Sequence, residues 1–150
     1  MIEFWRTTGE YGFMSNFSKH PITVDGRRYE TTEHYYQAMK ATNDVDHESV
    51  RLAKGPKASK TLARQILLRP DWENVKYEIM KDALRAKAQQ YEFIIPALEN
   101  SGTEELAENS PYDYIWGTGK DGTGQNLLGK AWMEIRNELT ENLSGEKDIE

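Results

Sequence analysis

The sequence predicts an α+β fold, a single mainly helical domain with a small sheet formed largely by the N-terminal hairpin region. Three observations predict it: 150 residues fit one compact domain, an Asp-Gly pair separates two short apolar segments near the start, and apolar residues recur at helical spacing after Thr32. We expect the domain to span residues 1–143 and a polar C-terminal tail to occupy residues 144–150.

The first 30 residues predict strands and turns. Residues 2–6 form a short strand candidate, and residues 22–24 and 28–29 lie on either side of Asp25-Gly26. Because glycine tolerates the positive φ that tight hairpin turns require, this pair favours a hairpin.

Three helices are predicted between residues 31 and 69. Thr31 or Thr32 caps the first, which is expected to run to about Thr42. The second is capped by Asp46 and ends at Gly55. The third has Pro56 in its first turn. Its apolar inner face is formed by Leu62, Ala63, Ile66 and Leu67.

The rest of the chain predicts two longer helices and two shorter ones. Asp71 caps the first long helix, whose apolar stripe consists of Trp72, Val75, Ile79 or Met80, Ala83 and Leu84. Short helical segments are expected at residues 91–98 and, capped by Thr103, at residues 103–108. Residues 127–143 predict the closing helix.

Composition excludes several classes of protein. The 37% hydrophobic and 11% aromatic fractions argue against disorder. No run of 18 apolar residues and no signal peptide is visible, so we expect a cytoplasmic protein without a membrane span. The absence of cysteine excludes thiolate chemistry, and His20, His34 and His47 lack paired ligand spacing, so neither a metal nor a cofactor is expected.

Charge is distributed unevenly along the chain. The net charge of -6 disfavours nucleic-acid binding over the whole surface, because Lys and Arg contacts to phosphate dominate such binding. Residues 51–69 nevertheless carry basic side chains and no acidic one: Arg51, Lys54, Lys57, Lys60, Arg64 and Arg69. This segment is either a solvated helix face or a surface that contacts phosphate.

An acid, an amide and an amine share one face of the first predicted helix. Glu33, Gln37 and Lys40 are spaced at i, i+4 and i+7. On its own the spacing favours an exposed polar stripe, and the alternative is a set of catalytic groups that acts on a substrate. His34 is expected to be a hydrogen-bonded structural histidine.

A glycine-rich segment at residues 117–124 precedes the closing helix. It contains G-x-G-x-x-G but lies too near the C-terminus for a dinucleotide fold. The glycines form either a phosphate-binding loop or a surface turn. Aromatic and polar residues at 13–17, with Asp113 and Trp116, could hold a planar base and a ribose or could be core.

These segments, in this order, resemble the NADAR (YbiA-like) family over nearly the whole chain. The resemblance rests on the following motifs, in chain order: Ser15-Asn16-Phe17, Thr31-x-Glu33-His34-Tyr35-Tyr36-Gln37-Ala38-x-Lys40, Arg69-x-Asp71-Trp72-x-x-Val75-Lys76 with Met80, Ala83-Leu84 and Lys87, Asp113-x-x-Trp116-Gly117-x-Gly119, and Gly124-x-Asn126-x-Leu128-Gly129 with Met133 and Arg136. Tyr29, Ala41 and Ala88 depart from the family pattern. These departures affect packing more than polar chemistry, so they bear on the substrate preference more than on the activity.

The resemblance implies an N-glycosidase, a hydrolase that cleaves a ribose-to-base bond. Its substrate would be either ADP-ribose on guanine bases of nucleic acid or a ribosylamino-pyrimidine intermediate of riboflavin synthesis. Glu33 would be the central acid or base, Lys40 a nucleophile or a phosphate clamp, and Asp113 a carboxylate that orients ribose or water. The implied substrate-binding residues are Asn16, Phe17, Tyr36, Gln37, Trp116, Gly117, Gly119 and Asn126.

Two other functions fit the same sequence. One is a module that binds ADP-ribose or NAD without turnover, for which the joint presence of Glu33 and Lys40 would be unnecessary. The other is a helical domain that binds a protein partner, whose identity the sequence does not indicate.

Overall fold

The computed structural model describes the backbone of residues 1–149 and the side chains of residues 1–140. Helices form most of the regular structure and the strands are short, which confirms the predicted α+β class. The elements in chain order are β1 (Ile2–Phe4), a 3-10 helix (Gly12–Met14), β2 (Ile22–Val24), β3 (Arg27–Tyr29), α1 (Thr32–Ala38), α2 (Asp44–Arg51), α3 (Pro56–Ala63), α4 (Trp72–Gln90), α5 (Ile94–Asn100), β4 (Leu106–Glu108) and α6 (Leu127–Ile149). None of the helices in the described part of the chain has both the length and the apolar character needed to cross a bilayer.

The chain forms two compact units. The central unit consists of residues 6–87, and the terminal unit consists of residues 1–5 together with residues 88–150. The residues of the predicted site are divided between them.

The central unit contains the hairpin that the sequence predicts. β2 and β3 pair antiparallel, with Ile22 opposite Tyr29. Asp25 and Gly26 form the connecting turn with φ angles of 51° and 78°, which only glycine and a few short polar residues adopt readily. Helices α1, α2 and α3 pack against one another, and α1 also contacts β3.

The terminal unit contains a second, parallel pair of strands. β1 pairs with β4, and Ile2 lies opposite Leu106. The prediction of a helix at residues 103–108 is therefore wrong. Leu106 and Ala107 are buried in this pairing, and α6 packs against the strand, so tertiary contacts override the local capping signal at Thr103.

Several helix ends differ from the prediction. α1 ends at Ala38 instead of near Thr42, and the carbonyl of Lys40 accepts a hydrogen bond from the backbone N–H of Arg69 at 2.9 Å. The cap of α2 is the Asn43 side chain, which accepts from the Asp46 N–H, so Asp46 is not the cap. α3 ends at Ala63, and Leu67 is 70% exposed instead of buried on its inner face.

The long helices follow the prediction more closely. α4 begins directly after Asp71, and all the predicted stripe except Val75 is buried: Trp72, Ile79, Met80, Ala83 and Leu84. α6 begins at Leu127 as expected and continues past Leu143 to Ile149. The predicted polar tail at residues 144–150 falls on side chains outside the described residues, so it stays a prediction.

Candidate active site

Helix α1 is buried along its entire length, so its polar side chains are held away from bulk water. The Thr31 hydroxyl caps it by accepting from the His34 N–H. Both ring nitrogens of His34 have partners, Thr31 Oγ1 at 2.8 Å and the carbonyl of Ala53 at 2.9 Å. His34 is therefore the structural histidine that the sequence predicts, and it fixes the start of α1 against the segment after α2.

Glu33 and Gln37 form a buried acid–amide pair one helical turn apart. Gln37 Nε2 donates to Glu33 Oε1 at 2.8 Å, and the two residues are 8% and 3% exposed. Gln37 Oε1 is buried and has no hydrogen-bond partner among the described residues. A buried acceptor without a donor lowers the stability of a folded protein. Such an atom is found, among other places, where a ligand supplies the missing donor.

Lys40 lies just beyond the end of α1 and is half-buried. Its Nζ is 5.5 Å from the centroid of the Tyr36 ring and 5.6 Å from that of Trp72, within the range of cation–π attraction. These two rings meet edge to face with centroids 5.0 Å apart. We call Glu33, Tyr36, Gln37, Lys40 and Trp72 the Glu33 cluster.

Burial lowers the pKa of Lys40, and the Glu33 carboxylate opposes this shift. The positive charges of Lys60, Arg64 and Lys76 lower it further. The first two belong to the basic segment at 51–69 and are exposed. A lowered pKa increases the fraction of free amine, the form of lysine that can act as a nucleophile.

Asn16 and Phe17 precede the hairpin in the same unit. Asn16 is 8% exposed, and its side chain is bound at both ends: Oδ1 accepts from Thr32 Oγ1 at 2.8 Å, and Nδ2 lies 3.4 Å from Met80 Sδ. Its carbonyl accepts from the Glu33 N–H at 3.1 Å. The ring of Phe17 is 38% exposed. The structure thus connects Asn16 directly to Glu33 and places the Phe17 ring at the surface.

The remaining predicted residues lie in the terminal unit, in a segment that we call the glycine loop, residues 113–126. Asp113 Oδ1 accepts from the backbone N–H groups of Ile115 at 2.9 Å and Trp116 at 2.8 Å. Its Oδ2 makes no hydrogen bond to any described residue. Asp113 therefore stabilises the turn that carries Trp116 and keeps one carboxylate oxygen free of that task.

Close packing requires a glycine at three positions of this loop: Gly117, Gly119 and Gly124. A Cβ at Gly117 would lie 2.9 Å from the carbonyl oxygen of Asp113, and one at Gly119 would clash with the Tyr114 ring. The Gly124 N–H donates to the Thr118 carbonyl at 2.7 Å, so this amide is used within the loop. These contacts explain the three glycines without a bound phosphate. They do not test the predicted phosphate role of the loop.

Asn126 joins the end of the glycine loop to β4. Its Oδ1 accepts from the Glu108 N–H and its Nδ2 donates to the Leu106 carbonyl, both at 3.0 Å. Its φ of 53° is in the left-handed region, which asparagine adopts more readily than most residues. The side chain thus has a structural task in addition to the predicted binding role.

Sequence reasoning missed the part that Trp72 plays beside Lys40. Its position on the apolar stripe of α4 predicts a core residue, and it is 5% exposed, but its ring also faces the Lys40 ammonium. The signal available was its place in the family motif after Asp71. No group of three or more potential metal-binding side chains is found among the described residues.

Known proteins resemble this chain over most of its length. N-glycosidase YbiA of Escherichia coli (strain K12) is 38% identical over 141 residues, 93% of this chain and 88% of YbiA. N-glycosidase Npun_R5314 of Nostoc punctiforme is 38% identical over 148 residues, 95% of each chain. The NMR structure of E. coli YbiA matches with a TM-score of 0.87 at 37% identity, covering 94% of this chain and 85% of that chain.

The class defined by this fold and these relatives is that of the N-glycosidases, hydrolases of N-glycosyl bonds, which confirms the predicted enzyme class. The NADAR domain model matches residues 3–140, which include parts of both units. The chain belongs to the NADAR domain family. A further relative is the riboflavin biosynthesis protein PYRR of Zea mays, 34% identical over 157 residues, 93% of this chain but 25% of that protein.

Proposed function

We propose that this N-glycosidase cleaves the bond between a ribose and a base nitrogen with Glu33 as acid and base and Lys40 as nucleophile. The observation that supports this most directly is the position of Lys40. Its amine lies over two aromatic rings and is half-buried. Burial lowers its pKa, and the Glu33 carboxylate interacts with its charge. An amine in such surroundings is more nucleophilic at neutral pH than an exposed lysine.

The proposed reaction has two stages. The free amine of Lys40 attacks C1′ of the ribose, the C1′ bond to the base breaks, and the departing nitrogen takes a proton. The bound amine then loses a proton, the ring oxygen takes one as its bond to C1′ breaks, and the open sugar is held as an iminium, which water hydrolyses to release the sugar and regenerate the Lys40 amine. Glu33 donates and accepts these protons, and its carboxylate stabilises the positive charge that develops on the sugar.

Gln37 and the aromatic rings have binding roles in this proposal. Because Gln37 Nε2 holds Glu33, its unpartnered Oε1 is the free acceptor for a donor on the substrate. Tyr36 packs beside the amine, and the exposed Phe17 ring offers a face for a planar base. Asn16 fixes the start of α1 through its carbonyl and side chain.

Asp113 is proposed to orient ribose or water through Oδ2, because Oδ1 is occupied by the turn. Trp116, Gly117, Gly119 and Asn126 are proposed to bind the substrate. Support for these roles comes from the family motifs that contain them.

The proposed substrate carries phosphate. Lys60, Arg64 and Lys76 add positive charge around Lys40, and this favours an anionic ligand. Two substrates are proposed: a ribosylamino-pyrimidine phosphate of riboflavin synthesis, the process in the maize relative's name, or ADP-ribose on guanine in nucleic acid. Both occur inside cells, so a cytoplasmic location is part of the proposal.

The test is mass spectrometry of the purified protein with each substrate in parallel. The expected result is loss of the base from one substrate, abolished in Glu33→Gln and unchanged in Glu99→Gln, a matched exposed glutamate on α5. Full activity of Glu33→Gln would overturn the role of Glu33. Cleavage of neither substrate would overturn the proposed substrate class.

A further inference from the structure

Lys87, near the end of α4, is fully buried at 0% exposure. No carboxylate lies within ion-pair distance of it in the described part of the chain. A buried lysine is costly unless its donors are used. The proposed reaction leaves Lys87 without a role, and its burial keeps it from touching a substrate.

The Lys87 amine binds the segment that precedes the hairpin. Its Nζ donates to the Ser15 carbonyl at 3.1 Å and to Ser18 Oγ at 2.7 Å. Ser18 Oγ in turn donates to the Phe13 carbonyl at 3.3 Å and lies 2.9 Å from His20 Nδ1. One side chain of α4 therefore fixes both ends of the Ser15 to Ser18 segment.

The same segment holds the start of α1. Asn16 lies between the two residues that Lys87 binds, and its carbonyl accepts from the Glu33 N–H at 3.1 Å. Its side chain accepts from Thr32 Oγ1 at 2.8 Å. The Lys87 amine is thus linked to the backbone of Glu33 by its hydrogen bond to the Ser15 carbonyl, the peptide bond from Ser15 to Asn16, and the hydrogen bond from the Glu33 N–H to the Asn16 carbonyl.

We propose that Lys87 is a positioning residue for the reaction, which holds the Ser15 to Ser18 segment so that Asn16 fixes the backbone of Glu33. This inference rests on the proposed role of Glu33. Burial lowers the pKa of Lys87 to about 7. The neutral amine has two N–H donors, which matches the two acceptors, so deprotonation leaves both hydrogen bonds in place.

The test compares Lys87→Met, which keeps the apolar stem and removes the donors, with Lys81→Met, the same change elsewhere on α4. Hydrogen exchange of the Glu33 amide and kcat are measured at one pH. We expect the amide to exchange at least tenfold faster and kcat to fall at least tenfold in Lys87→Met, with exchange in α6 unchanged. Both quantities should stay at the wild-type values in Lys81→Met.

Ser18→Ala provides a second variant should Lys87→Met fail to fold. It removes one of the two acceptors, and a smaller change in the same two quantities is expected. Unchanged exchange at Glu33, or faster exchange with unchanged kcat, would overturn the proposal. Hydrogen exchange is measured without substrate, so it tests the positioning role of Lys87 independently of catalysis. The catalytic role of Glu33 is tested separately and fails if Glu33→Gln is active.

Discussion

The Glu33 cluster and the glycine loop use their polar groups in different ways. In the cluster, a buried acid, a buried amide with an unpartnered oxygen and a half-buried amine share one region. In the glycine loop, Asp113 Oδ1 and the Gly124 amide bind other residues of the loop, and the Asn126 side chain binds β4. We therefore expect the chemistry to be concentrated in the cluster, whereas much of the loop's polarity maintains its own conformation.

The largest expected effect is that of Glu33→Gln. The amide keeps the size of the side chain and can still contact Gln37, but it cannot transfer a proton. General acid–base catalysis contributes about 10²- to 10⁴-fold, so kcat should fall by about 10³-fold. Steady-state kinetics with Glu99→Gln as the control would check this, and a loss below tenfold would move the acid–base role to another residue.

Lys40→Arg distinguishes a nucleophile from a phosphate clamp. Arginine keeps the positive charge and the contact with aromatic rings but has no nucleophilic amine at neutral pH. If Lys40 is the nucleophile, kcat should fall on the order of 10²-fold or more. The matched control is Lys57→Arg on the exposed side of α3. Retention of kcat would support the clamp instead.

Asp113→Asn tests whether the glycine loop takes part in the reaction. The amide oxygen can still accept from the two backbone N–H groups, so the turn is kept while the second carboxylate oxygen is replaced. Loss of one hydrogen bond to ribose or water, about 1.4 kcal/mol, should lower kcat/KM about tenfold. Wild-type kinetics in this variant would leave Asp113 with its structural task alone.

Asn126→Ala is expected to change stability more than catalysis. It leaves the Glu108 N–H and the Leu106 carbonyl without their partner, and unsatisfied buried groups cost about 1–3 kcal/mol. Urea unfolding should therefore show a lower free energy of unfolding. A large rise in KM with wild-type stability would show instead that Asn126 binds the substrate.

Lys87, in the central unit, should make the free energy of unfolding depend on pH. Its pKa is about 7 in the folded protein, against 10.5 for an exposed lysine. Between these values the unfolded chain binds more protons, so this group makes stability rise as the pH increases from about 7 toward 10.5. Urea unfolding at several pH values should show this rise in wild type relative to Lys87→Met, and parallel curves would contradict it.

Local signals predicted the parts of the fold that depend on short-range rules. The Asp25-Gly26 turn, the Thr31 cap and the apolar stripe of α4 are all in the structure. The parallel pairing of β1 with β4 was not predictable, because it joins Ile2 to Leu106 across the length of the chain. Strand pairing between distant segments leaves no periodic trace in three-residue strands.

The candidate site was also predictable only where it depends on spacing within one helix. The spacing of Glu33 and Gln37 placed them on one helix face, and their 2.8 Å hydrogen bond agrees with it. The ring of Trp72 beside Lys40 and the amine of Lys87 beneath Ser15 depend on how α4 packs, which spacing within one helix does not encode.

The measurement that tests the central claim most directly is borohydride trapping of the enzyme during turnover, followed by peptide mass spectrometry. We predict a reduced ribosyl adduct on Lys40, absent in Lys40→Arg and absent without substrate. An enzyme that turns over substrate in the presence of borohydride and carries no adduct on Lys40 would contradict this prediction.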